Sequence, residues 1–145
     1  MAKVYVSSII NAPAGKVWQA IRDFNGLPDW TPFVVSSRIE EGRAADQIGC
    51  IRNFILGDGG VIRERLLTLS DRDMSCTYSI LESPMGVVNY EATLSLRRIT
   101  DGDITYAEWI AEFDAAEDRE AELVTSIGTN VFQAAFTTLK DRFKE

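Results

Sequence analysis

Six extended segments follow one another between Phe33 and Phe113, each separated from the next by a short run of residues. They are Phe33 to Glu40, Ile48 to Leu56, Val61 to Ser70, Met74 to Glu82, Val87 to Ile99 and Ile104 to Phe113. The turn signals between the last five are Gly57-Asp58-Gly59-Gly60, Asp71-Arg72-Asp73, Ser83-Pro84-Met85-Gly86 and Asp101-Gly102-Asp103. Connections this short reverse the chain, so consecutive strands pair antiparallel as a meander.

The meander is flanked by pieces of different period. Lys3 to Ile10 reads as a strand rich in Val, Ile, Tyr and Ser. Asn11-Ala12-Pro13 then opens a short helix, with Asn or Ala in the cap position and Pro in the first turn. Val17, Trp18, Ile21 and Phe24 give it one apolar side, and Asn25-Gly26 ends it. Leu27 to Pro32 forms a compact turn or single helical turn between two prolines. After the last strand, Asp114 and Glu117 have the spacing of a capping box. A helix from about Glu117 to Phe143 follows, roughly 40 Å long at ~1.5 Å per residue. Its broad apolar side carries Leu123, Val124, Ile127, Val131, Ala135, Leu139 and Phe143, widened by Phe132 and Phe136. The expected fold is α+β: a strongly curved antiparallel sheet of about seven strands around a long C-terminal helix, with two short helices after the first strand. Residues 1–145 read as one domain, a length that supports its own core.

Composition narrows the chemistry. The chain has no histidine, which removes Ser-His-Asp and Cys-His catalysis and nearly all zinc hydrolase sites. Cys50 and Cys76 stand far apart and in no C-x-x-C pattern, so neither a disulfide framework nor a zinc site is expected. The acidic cluster Glu117–Glu122 reads as helix capping and solvated surface; no metal and no cofactor is expected. A net charge of −7 repels phosphate backbones, so nucleic acid is not an expected partner. No run approaches the ~18–20 apolar residues of a membrane span, and the N-terminus lacks a signal-peptide core. The expected location is the cytoplasm. A homodimer is left open.

Alternation assigns faces. Thr105, Ala107, Trp109, Ala111 and Phe113 form the expected inner set of the last strand, and Val88, Tyr90, Ala92, Leu94 and Leu96 that of the strand before it. Cys76, Tyr78 and Ile80 look inward in the strand preceding those. Across the Gly57–Gly60 turn, Arg52 and Glu64 fall opposite one another on the face that carries Phe54, Leu56, Ile62 and Leu66. That face is either the inner one, with a buried, mutually paired Arg and Glu able to orient a ligand, or the outer one, with a surface ion pair. Gly128, in mid-helix, either leaves room for a ligand or lets helix and sheet touch.

The layout resembles the START/polyketide-cyclase (SRPBCC) superfamily with its helix-grip fold, in its bacterial polyketide cyclase/dehydrase-like branch. The segments that carry the resemblance are Ile10-Asn11-Ala12-Pro13 with Val17-Trp18, Ile21 and Asp23-Phe24, then Leu27-Pro28-Asp29-Trp30 with Pro32. They continue through Gly49-Cys50-Ile51-Arg52, Arg63-Glu64-Arg65-Leu66, Tyr78-Ser79-Ile80, Val88-Asn89-Tyr90 and Trp109 with Phe113. The resemblance implies a cavity between sheet and C-terminal helix, with a mobile loop at Gly57–Gly60 closing over the ligand and a second loop, Ser83–Val87, beside the entrance. The branch is also similar to plant abscisic-acid receptors, whose pocket glutamate and tyrosine match Glu64 and Tyr90. Their pocket lysine falls near Thr31, and Arg52 is a candidate substitute. The gate and latch motifs of those receptors are absent, so hormone sensing through a phosphatase is not implied.

Arg52, Phe54, Glu64, Tyr78, Tyr90, Trp109, Gly128 and Phe132 are therefore the candidate ligand-binding residues. The favoured function is binding of a small hydrophobic, lipid- or polyketide-like ligand as carrier or sensor. One alternative is a polyketide aromatase/cyclase or dehydratase working with Glu64, Arg52 and Tyr90. Another is a protein-interaction module without a ligand.

Overall fold

The computed structural model of the chain describes residues 1–144. Seven strands form one antiparallel sheet: β1 (Ala2–Ile10), β2 (Val34–Ile39), β3 (Ile51–Leu56), β4 (Val61–Ser70), β5 (Ser75–Glu82), β6 (Val88–Ile99) and β7 (Ile104–Asp114). Their spatial order is β1-β7-β6-β5-β4-β3-β2. The meander thus runs unbroken from β2 to β7, and β1 closes on β7 in full register from Ala2↔Phe113 to Ile10↔Thr105. Two short helices, α1 (Ala14–Ile21) and α2 (Leu27–Trp30), separate β1 from β2. This is the curved sheet around a C-terminal helix that the strand pattern implied.

Inner and outer faces follow the pleat. All five expected inner residues of β7 are buried, from Thr105 to Phe113. In β6, Tyr90, Ala92, Leu94 and Leu96 are buried, but Val88 is exposed. The pairing register shifts between Val88 and Glu91, and Asn89 adopts a positive φ of 54°, so the face flips there. β3 also starts later than its apolar pattern suggests, at Ile51, with Ile48 left exposed.

The helical segments depart most from expectation. Pro13 occupies the cap position of α1 with no side-chain cap bond. The capping box does not form: Asp114 ends β7, accepting a hydrogen bond from Asn89 Nδ2 at 3.0 Å. A 3₁₀ turn (Glu117–Arg119) leads into α3 (Glu120–Ser126), a π-helical stretch (Ile127–Gln133) and α4 (Ala134–Arg142). The wider π turn places residues five apart on one side. Ile127 and Phe132 are accordingly both buried, while Val131 is only partly so.

Gly128 sits where this stretch meets β1. A methyl at that position would lie 3.5 Å from Val4 Cγ1 and 3.8 Å from Val6 Cγ2, ordinary contact distances. The glycine therefore marks a helix–sheet contact. Gly128→Ala is expected to raise stability by about 0.5–1 kcal/mol in urea unfolding, through lost unfolded-state entropy.

At the β2 end, one carboxylate ties three strands together. Glu40, just after β2, accepts from Arg63 Nε at 2.7 Å and Nη2 at 2.9 Å on β4, and from Asn53 Nδ2 at 3.0 Å on β3. Arg63 and then Asn53 hold the Glu40 carboxyl down at about 2, from an ordinary 4.5. Its folded-state pKa is depressed, so the unfolded chain binds the proton more tightly. The stability Glu40 contributes is complete above pH 4.5 and is lost as pH falls towards about 2. Urea titrations across that range should show an acid limb that flattens in Glu40→Gln.

Candidate functional site

Between the inner face of the sheet and the π-helical stretch lies a cavity of about 370 Å³. This is at the small end of the range for small-molecule sites. Its floor comes from alternate residues of three neighbouring strands: Phe54 of β3, Ile62 and Glu64 of β4, Tyr78 and Ile80 of β5. Tyr90 of β6 extends it, and Ile127, Asn130 and Val131 of the helix cover it. Phe33, Leu56 and Met85 complete an apolar wall.

The mouth is at the loops. Gly57 and Asp58 of the β3–β4 turn and Asn130 are solvent-exposed lining residues, and Met85 approaches from the β5–β6 loop. The two loops are neighbours, since a methyl at Gly60 would lie 3.4 Å from Pro84 Cγ. Arg119, at the start of the C-terminal helix, donates from Nη1 to the Met85 carbonyl at 3.0 Å. Gly86 makes that contact possible: its φ is +80°, and a methyl there would come within 2.9 Å of Arg119 Nη1.

The interior end is polar. Arg52 and Glu64 face each other directly across the β3–β4 hairpin and are each only 5% exposed. Both Nε and Nη2 of Arg52 reach Glu64 Oε1, at 2.7 and 2.6 Å. Nη1 donates to the Phe24 carbonyl at 3.1 Å. The guanidinium also lies 4.0 Å from the Phe24 ring centre and 4.8 Å from that of Tyr78. Burial pushes the Glu64 carboxyl above its ordinary range, and Arg52 pulls it back. Trp109 Nε1 donates to the Tyr78 hydroxyl at 3.1 Å. The Tyr78 and Tyr90 ring centres lie 6.4 Å apart, and burial raises both phenols well above their ordinary range, so both stay protonated.

Among the described residues, Trp30 Nε1 is the one side-chain polar atom both sealed from solvent and unpartnered. Glu64 Oε2 also lacks a protein partner, so it reaches accessible space in the cavity wall.

Of the candidate residues, Phe54, Glu64, Tyr78 and Tyr90 line the cavity. Arg52 stands behind Glu64 and does not line it. Trp109 and Phe132 are core residues: their rings stack at 4.2 Å with planes 8° apart, and Phe136 and Trp30 pack against Trp109. Gly128 faces β1. Phe33 and Asn130 lie outside the expected site, and Met85 reaches the cavity from the Ser83–Val87 loop that the resemblance sets beside the entrance.

The matching family model, described as polyketide cyclase / dehydrase and lipid transport, spans residues 1–144. The chain belongs to that family. Among solved structures, it is 31% identical to the protein XoxI from Bacillus cereus, with a TM-score of 0.88, covering 99% of this chain and 96% of that one. An uncharacterized protein from Bacillus thuringiensis is 30% identical, with a TM-score of 0.84 and coverage of 99% and 100%. A Thermobifida fusca protein is 28% identical, with a TM-score of 0.88 and coverage of 99% and 93%. No curated protein matches the sequence. Membership of this family and the observed cavity agree in pointing to hydrophobic ligands. Among the described residues no helix is long and apolar enough to cross a membrane.

Proposed function

We propose that the protein binds one small apolar molecule in the cavity between sheet and helix, as a carrier or sensor. The observation that carries this is the cavity itself: about 370 Å³, walled mainly by aliphatic and aromatic side chains, with Glu64, Tyr78 and Tyr90 at the inner end and Asp58 and Asn130 at the mouth. Apolar walls supply affinity by removing ligand surface from water, at roughly 25 cal/mol per Å² before ordering costs. A few polar groups then fix orientation. The paired loops at the mouth, of which the β5–β6 loop is held by Arg119, give a route in that does not require opening the sheet.

The test is a titration with N-phenylnaphthylamine, a neutral apolar fluorophore that brightens on leaving water. The wild-type protein should bind one equivalent. Val131→Trp projects an indole from the helix into the cavity and should weaken binding at least ~10-fold, equivalent to ~1.4 kcal/mol. Its far-ultraviolet circular dichroism should stay unchanged. Equal binding by both proteins would place the probe elsewhere and remove the cavity from the proposal.

A further inference from the structure

The charges at the inner end say which polar head such a ligand carries. Arg52 is the cation paired with Glu64, and its charge is already engaged: Nε and Nη2 reach Glu64 Oε1, Nη1 donates to the Phe24 carbonyl, and aromatic rings cover its faces. It stands behind Glu64, outside the cavity wall. No Lys or Arg is among the described residues that line the cavity, whereas Glu64 and Asp58 both do. The wall therefore presents a carboxylate oxygen, Glu64 Oε2, with no protein donor on it. Tyr90 lines the same cavity, and among the described residues nothing accepts a hydrogen bond from its hydroxyl, so that proton is free to point at a ligand oxygen.

We infer that this end selects neutral ligands bearing a hydroxyl group and rejects the carboxylates of the same skeleton. The inference rests on the binding function proposed above. A ligand hydroxyl donates its hydrogen to Glu64 Oε2 and accepts one from Tyr90. Every strong group at this end is then satisfied without burying a new charge. A ligand carboxylate brings an anion next to a carboxylate already in the wall. Its desolvation is uncompensated, because the guanidinium that could pair with it is already held.

Three matched probes decide the matter by displacement of N-phenylnaphthylamine at pH 8: para-octylphenol, para-octylbenzoate and para-octylanisole. The phenol should bind at least ~10-fold tighter than the benzoate and several-fold tighter than the anisole, as expected for a buried hydrogen bond to a charged acceptor. Glu64→Gln removes the wall charge and frees Arg52, so it should reverse the order of phenol and benzoate. Should that variant fail to fold, the wild-type ratios alone still decide. Benzoate binding as tightly as phenol would overturn the inference and leave the cavity reading intact. So would anisole matching phenol, or the phenol failing to displace a fluorophore that does bind. Failure of the fluorophore itself to bind would overturn the binding function and this inference with it.

Discussion

Replacing Arg52 by Met is expected to lower the unfolding free energy by about 3–5 kcal/mol, a large fraction of what a domain of this size possesses. The cause is not the loss of an attractive contact alone. Arg52 and Glu64 are both 5% exposed, and removing the guanidinium leaves a carboxylate in an apolar wall with nothing opposite it. The loss should depend on pH in a defined direction. Without Arg52 the folded-state pKa of Glu64 rises further, so the folded state binds the proton more tightly than the unfolded chain. A group of that kind is least harmful below its unfolded pKa and most harmful once pH has risen through its folded value. Urea unfolding should therefore find the variant closest to wild type in mild acid and furthest from it above neutrality. Arg52→Met combined with Glu64→Leu should recover most of the stability, since a buried pair replaced by apolar residues is often neutral or better. A double variant no more stable than the single one would show that the pair is not the source of the penalty.

The second large effect is expected at Trp109. Its indole stacks on Phe132 at 4.2 Å, meets Phe136 and Trp30, and is 3% exposed. Trp109→Ala should cost about 3–5 kcal/mol, combining lost transfer energy with a cavity that the rigid sheet cannot close. It also removes the N–H that the Tyr78 hydroxyl accepts. Trp109→Phe separates the two contributions: it keeps most of the stacked surface and loses the donor, with an expected cost nearer ~1 kcal/mol from the hydrogen bond. Chemical unfolding of both variants reads the difference. Equal costs would mean that the hydrogen bond, and not the packing, dominates at this position.

Much of this architecture was legible in the residues, for identifiable reasons. Two-residue alternation in β7 assigns Thr105 to Phe113 to the core because one pleated face must leave water. The short Gly57–Gly60 turn sets Arg52 opposite Glu64 because so few residues allow little freedom of register. The pattern alone leaves open which face carries that pair, and the structure buries it. The bulge before Glu91 was not legible: it depends on Asn89 taking a positive φ, which no pattern of apolar residues announces. The π-helical stretch was equally hidden. Ile127, Ala135 and Leu139 fit an ordinary helical stripe, and only the burial of Phe132 ahead of Val131 reveals the wider turn. The cavity lining suffers most from this. Aromatic residues on inner faces can fill space or border it, and the seat of the helix decides which. Trp109 and Phe132 fill it, whereas Tyr78 and Tyr90 border it. Phe33, Met85 and Asn130 reach the cavity from a loop, a turn and a π turn, where period carries no information about direction.

Native mass spectrometry on protein isolated without denaturant from the cells that make it bears most directly on the cavity as a ligand site. The expected result is one small molecule per chain, extracted by organic solvent on denaturation, neutral and bearing a hydroxyl group. The same preparation of Val131→Trp should lack it. A wild-type chain carrying nothing, or the same molecule retained by Val131→Trp, would contradict the assignment of this cavity.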